Sequence, residues 1–181
     1  MSRLLRFKVY VALLLTLSAS LCHPASAQNL PASAKLPSTA LSFGVLLPTN
    51  SDTAHRTGST LLLGELRYAL PASGPLAVSR TVFSGTAAIS NRATEGSVLV
   101  SGTVGQVFSL RSGQSPLAGR TGYIGAGVGV YAMDLRFSHA VARFGGYAEA
   151  GYNLDRALFV DAQYHLVDRG SGASVALGTR F

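Results

Sequence analysis

Segment 158–167, LFVDAQYHLV, alternates without a break. Leu158, Val160, Ala162, Tyr164 and Leu166 fall on one side of an extended chain, and Phe159, Asp161, Gln163 and His165 on the other. A strand of this kind has one apolar and one polar face, and the fold must treat the two differently. The pattern recurs eight times, at 41–48, 60–70, 76–84, 97–110, 122–133, 143–154, 158–167 and in the closing stretch GASVALGTRF. Strands of about ten residues separated by turns predict an all-β, antiparallel up-and-down barrel of about eight strands. Glycine is abundant and no sustained i, i+3, i+4 stripe is present, which argues against a helical fold.

The N-terminal stretch has a different character. Arg3, Arg6 and Lys8 precede an apolar run from Val9 to Leu21, and Ala25-Ser26-Ala27 follows. This is the pattern of a secretory signal peptide, with cleavage expected after Ala27. The run is too short for a membrane-spanning helix, which needs about 20 apolar residues. Cys22 follows Leu21 rather than the small residue that a lipid-attachment signal requires. Residues 28–40, with Pro31 and Pro37 and no periodicity, read as a flexible periplasmic lead-in, and 41–181 as the barrel.

Loss of residues 1–27 removes three of the cations, so the formal charge of +7 falls to about +4. The remaining arginines are scattered singly, without the cluster that a nucleic-acid partner would demand. Cys22 is the chain's one cysteine, so no disulfide or thiolate metal site is expected in the mature protein. No metal and no cofactor are expected.

Two features indicate which face of the barrel points outward. Longer polar connections (49–59, 85–96, 134–142) alternate with shorter ones (71–75, 155–157), as outer loops alternate with periplasmic turns in outer-membrane barrels. The segment 111–121 is long for such a turn, and 168–172 short for an outer loop. If the first strand rises from the periplasm, each descending strand carries an aromatic near its lower end on the apolar face. These are Tyr68, Phe108, Tyr152 and Phe181, and rings at matched depth make a membrane-interface girdle. In 122–133, Gly125, Gly127 and Gly129 share one face; inside a narrow barrel they leave room for bulky side chains arriving from elsewhere.

The signal peptide, the glycine-alternating YIGAGVGVY, the strand GGYAEAGYNL and the final phenylalanine together resemble the small eight-stranded outer-membrane β-barrels, the OmpA- and OmpX-like group. The resemblance covers 41–181. It implies a transmembrane barrel in the bacterial outer membrane, with outer-membrane lipid around it. It further implies recognition of the closing strand by the barrel-assembly machinery through Phe181, Leu177 and Val175. Thr179 departs from that pattern, because a larger residue is usual there. The family implies no single activity, since its members include anchors, adhesins and enzymes.

With apolar faces outward, the lumen receives Glu65, Arg67, Glu149, Asp161, Gln163, His165 and Arg180. Arg80 joins them if 76–84 turns that way, the setting favoured because arginine on a lipid face costs about 2–4 kcal/mol. Its outward face is then Ala77, Ser79, Thr81 and Phe83. Three acids against three arginines predict a charge-paired network that fills the interior, rather than a conducting pore. Glu149, Asp161 and His165 are a conceivable acid–base set, with a structural role favoured. The residues after His165 are Leu-Val-Asp, without the serine of the H-x-S-N pattern of lipid A deacylases. His55 and His139 sit singly in expected outer loops. No catalytic residue is assigned.

The expectation is therefore a monomeric outer-membrane barrel of structural or surface-interaction type. Its specificity, and an extracellular partner of unknown kind, belong to the outer loops. The alternatives are a narrow outer-membrane channel, an outer-membrane enzyme acting on lipid or peptide, and a secreted lipocalin-like carrier. The carrier requires Tyr68, Tyr152 and Leu166 inside and Glu65, Asp161 and Arg180 outside.

Overall fold

The computed structural model describes residues 38–71, 79–90, 97–111, 114–135, 141–168 and 170–181. The expected signal peptide, most of the lead-in, the turn around 72–75, loop residues 91–96 and His139 lie outside them. Eight antiparallel strands close into a barrel in sequence order, β1 pairing with β8. They are β1 (Ser38–Pro48), β2 (Leu61–Ala69), β3 (Ser79–Ser90), β4 (Ser97–Ser109), β5 (Gly122–Leu135), β6 (Val141–Asn153), β7 (Leu158–Val167) and β8 (Gly172–Arg180). Closure leaves no free sheet edge over the paired length. The end holding the start of β1 and the end of β8 is called the lower end below.

Several boundaries differ from the sequence expectation. The lead-in ends earlier, because Ser38–Ala40 already pair with β2, and Ala40 also pairs with Arg180 of β8. Thr39 exchanges backbone hydrogen bonds with Phe181, so these residues satisfy the lower ends of two neighbours. The third strand, expected at 76–84, spans Ser79–Ser90 and takes in half of the loop expected at 85–96, while residues 76–78 lie outside the described residues. Its upper half alternates Thr86 and Ala88 inward with Ala87 and Ile89 outward. That contrast is of size rather than polarity, which hides the strand. β5 and β6 likewise extend into the expected 134–142 loop, leaving 136–140 between them.

The loop expected at 49–59 contains a short helix, α1 (Ser51–Thr57). Asn50 Oδ1 accepts from the Thr53 backbone N–H at 3.4 Å, the usual satisfaction of an open helix N-terminus. Gly58 ends the helix at φ 91°, a conformation glycine adopts without strain. At the lower end, the Asp155 side chain accepts from the backbone N–H groups of Ala157 and Leu158 at 2.6 and 2.7 Å. The N–H of Leu158 and then that of Ala157 hold its carboxyl below the usual carboxylate range and fix the shortest turn.

The polarity of the barrel is inside-out relative to a water-soluble one. Phe43, Leu62 and Val128 are each over 60% exposed on the outer wall, whereas Glu65, Asp161 and Glu149 are at most 5% exposed. Tyr68, Tyr152 and Leu166 point outward, so the arrangement a lipocalin-like carrier needs is absent. Arg80 is buried, which sets β3 with Ser79, Thr81 and Phe83 toward the outside.

Gly125, Gly127 and Gly129 of β5 face the lumen, with the parity of the buried Tyr123 and Tyr131. A side chain on Gly125 would meet Glu149, and one on Gly127 would overlap the Tyr147 ring together with the backbone of Val104 and Gly105. Since backbone cannot yield as a flexible side chain can, Gly127→Val is expected to destabilise the barrel by about 1–3 kcal/mol or more. The yield of folded barrel on refolding into detergent checks this. Tyr147→Ala in the same chain should fail to rescue it, because the backbone overlap remains.

Candidate functional site

The interior is filled in three layers. The upper layer is apolar: Leu46, Leu61, Leu63, Leu99, Tyr131 and Val167 pack together, with Met133 against them. The lower layer joins Ala69, Val82, Val107 and Tyr123, with Leu117 against them. Between them sits the polar layer. In a barrel of eight strands, side chains from opposite walls reach one another, and this brings β2, β6 and β7 together at one residue.

That residue is Arg67. Its Nε lies 2.9 Å from Glu65 Oε2, its Nη1 2.9 Å from Glu149 Oε2 and its Nη2 2.5 Å from Asp161 Oδ2. One planar guanidinium, with its donors in a rigid fork, thus holds three carboxylates from three strands. Gln163 Nε2 donates to both oxygens of Glu65 at 3.2 Å and to Asp161 Oδ2 at 2.9 Å. Ser42 Oγ donates to Glu65 Oε2 at 3.3 Å, and the Tyr123 hydroxyl to Asp161 Oδ1 at 3.2 Å. A second, smaller group surrounds His165. Its Nδ1 is 3.3 Å from the Tyr131 hydroxyl and its Nε2 3.3 Å from Ser174 Oγ.

The other arginines do not join the hub. Arg80 Nη1 donates to the Leu70 carbonyl at 3.0 Å. The Arg180 guanidinium stacks over the Phe159 ring, 4.4 Å from its centroid. The three acids converge on one arginine, and the other two lumen arginines, Arg80 and Arg180, lie toward the lower end. The reason is register. Glu65 and Arg67 are two residues apart on β2, while Arg80 and Arg180 lie near the lower ends of their strands.

Of the residues singled out from sequence, Glu65, Arg67, Glu149, Asp161, Gln163 and His165 meet in the polar layer. Tyr68, Phe108, Tyr152 and Phe181 all lie exposed at the lower end of the outer wall. His55 is exposed on α1, away from the layer. Sequence reading missed Ser42, Tyr123, Tyr131, Tyr147 and Ser174. Tyr123, Tyr131 and Tyr147 alternate with outward-facing residues on β5 and β6, a signal that was available. Ser174 reaches His165 across the β7–β8 pair, which requires the register. This serine–histidine pair lies buried beneath the upper apolar layer, not at a rim open to substrate. Among the described residues no group of three or more His, Cys, Asp and Glu side chains is arranged to hold a metal ion.

Residues 114–121 of the long connection after β4 fold back against the lower mouth. Pro116 is fully buried, and Asn153 Nδ2 donates to the carbonyls of Pro116 and Ala118 at 2.8 and 2.7 Å. This is why a turn at the lower end is long: its extra residues close the barrel. Asn153→Ala would leave two inward-facing carbonyls unpaired and is expected to cost about 1–3 kcal/mol. Faster tryptic cleavage at Arg111 and Arg120, both exposed on this connection, would report the loosened turn.

No protein-family model matches the chain, and no curated protein matches it in sequence. Solved structures do. Neisserial surface protein A is similar with a TM-score of 0.52 at 16% identity, over 80% of this chain and 94% of that one. The Yersinia pestis outer membrane protein Ail, determined in a phospholipid bilayer nanodisc, gives 0.52 at 14% identity, over 81% of this chain and all of that one. At such identities the likeness establishes the fold: the chain is a closed eight-stranded antiparallel β-barrel of the architecture these two proteins share.

Proposed function

We propose that the protein is an outer-membrane β-barrel of structural or surface-interaction type, with a sealed, charge-paired interior and its specificity at the upper end. One observation carries this reading: the closed barrel exposes a band of large apolar side chains along its outer wall and buries the ions of Glu65, Arg67, Glu149 and Asp161. In water that arrangement is unfavourable on both counts. In a bilayer the exposed wall meets hydrocarbon, and closure leaves no backbone group unpaired along the paired strands. Strands of 9 to 14 residues suffice to cross. Even the exposed polar pair on the outer wall is internally satisfied, Gln106 Nε2 donating to Thr81 Oγ1 at 2.6 Å. The two similar structures are those of a surface protein and an outer membrane protein, which accords with this location.

The apolar layers above and below Arg67 favour a plugged barrel over a channel. Burial of His165 and Ser174 beneath the upper layer favours a non-enzymatic role for both. Recognition would then fall to the upper end, where α1 and the upper ends of β5, β6 and β7 lie. The closing strand ending in Phe181 would be what the assembly machinery reads, and the barrel would function as a monomer.

Orientation is directly testable. With Cys22 in the segment expected to be removed, a single introduced cysteine reports its own exposure. Ser51→Cys on α1 should react with a membrane-impermeant maleimide on intact cells, while Ala157→Cys in the lower turn should react only after the outer membrane is permeabilised. The reverse pattern would overturn the proposed orientation, and labelling of both on intact cells would overturn the membrane location.

A further inference from the structure

The lower half of the interior contains a cavity of about 20 Å³ between the polar layer and the 110–121 connection. It has room for one or two water-sized species. Its walls are largely apolar, from Ala69, Val82, Val107, Leu117 and Phe159, and it reaches down to Ser38 at the foot of β1. The charged side chains that line it are Arg67 and Arg180, and none of the lining residues is a carboxylate. Arg180 Nη1 is buried and has no hydrogen-bond partner. Its guanidinium rests on the Phe159 ring rather than on an acid.

From this arrangement we infer that the cavity is a binding site for a small spherical monoanion of chloride size, held by Arg180 with Arg67 behind it. The argument is one of donors and acceptors. Arginine offers N–H groups and no acceptor. Arg67 donates through Nη2 to Asp161, while its Nε and Nη1 stand at ion-pair distance from Glu65 and Glu149 without a hydrogen bond to either. A water molecule placed there would accept from the arginines, and the lining side chains offer its own hydrogens acceptors only at the hydroxyls of Ser38 and Tyr123. An anion accepts only, and it would take the Arg180 Nη1 hydrogens that no described residue accepts. The carboxylates that could otherwise have done so are gathered on Arg67, one layer up. The size of the cavity excludes sulfate, phosphate and larger carboxylates.

Two measurements on the purified, folded barrel test this. Crystals soaked in bromide should show an anomalous peak beside Arg180 Nη1 within the cavity. The temperature at which the barrel unfolds in detergent should rise when gluconate is replaced by chloride at equal ionic strength, and should not rise with sulfate. Arg180→Gln should abolish the chloride-dependent rise. An empty or water-filled cavity in bromide crystals would overturn the inference. So would a chloride response that persists unchanged in Arg180→Gln, or one that sulfate reproduces. If Arg180→Gln does not fold, the bromide experiment on the unmodified protein decides alone.

Discussion

Arg67→Met is expected to destabilise the barrel by about 3–5 kcal/mol, the usual consequence of removing one partner from a buried ion cluster. The three carboxylates of Glu65, Glu149 and Asp161 would stay confined inside an eight-stranded wall with no cation among them. Gln163, Ser42 and Tyr123 would continue to donate to them, but neutral donors do not cancel charge. The denaturant midpoint of the folded barrel, followed in detergent or lipid, measures the loss. Neutralising the acids in the same chain, with Glu65→Gln, Glu149→Gln and Asp161→Asn, should restore much of it, because an uncharged layer no longer needs the guanidinium. An Arg67→Met barrel as stable as its parent would show that the hub is not what holds β2, β6 and β7 together.

Val128→Arg tests the outside of the wall as Arg67→Met tests the inside. Val128 lies midway along β5, between Val104 and Gly146 on its neighbours, and is 64% exposed. On a water-facing surface such a change would fall within about 0.5 kcal/mol of neutral. Facing the middle of a bilayer it is expected to cost about 2–4 kcal/mol. Unfolding from lipid vesicles measures the effect, and the same substitution at Ser51, on α1 at the upper end, provides the contrast by costing little. Equal, small effects at both positions would mean that Val128 does not face lipid.

How far these features were legible in the sequence depended on chemical contrast between the two faces of each strand. On β7 and β2 the lumen side carries ions and the outer side leucine, valine and tyrosine, so both the strand and its facing could be read. On the upper half of β3 the inward residues are Thr86 and Ala88 and the outward ones Gly85 and Ala87. With no polarity to alternate, the segment passed for loop. The apolar layers of the lumen were hidden for a related reason. Leu61 and Leu63 point in while Leu62 points out, and a run of three leucines carries no facing signal.

The helix α1 spans seven residues, too few to show a helical stripe. Convergence on Arg67 and the meeting of His165 with Ser174 depend on inter-strand register. Register comes from closure of the whole barrel, not from any one segment. Gly125, Gly127 and Gly129 were the informative exception, since their placement on one face of a strand already implied large neighbours such as Tyr147 and Glu149.

The central claim is that a closed barrel turns its apolar wall to a bilayer, and gel migration of the outer-membrane fraction with and without boiling tests it most directly. An intact barrel of this kind resists SDS, so the unboiled protein should run as a band distinct from the boiled, unfolded chain and should be found in the membrane fraction. Recovery as soluble periplasmic or secreted protein, with no difference between boiled and unboiled samples, would contradict the account.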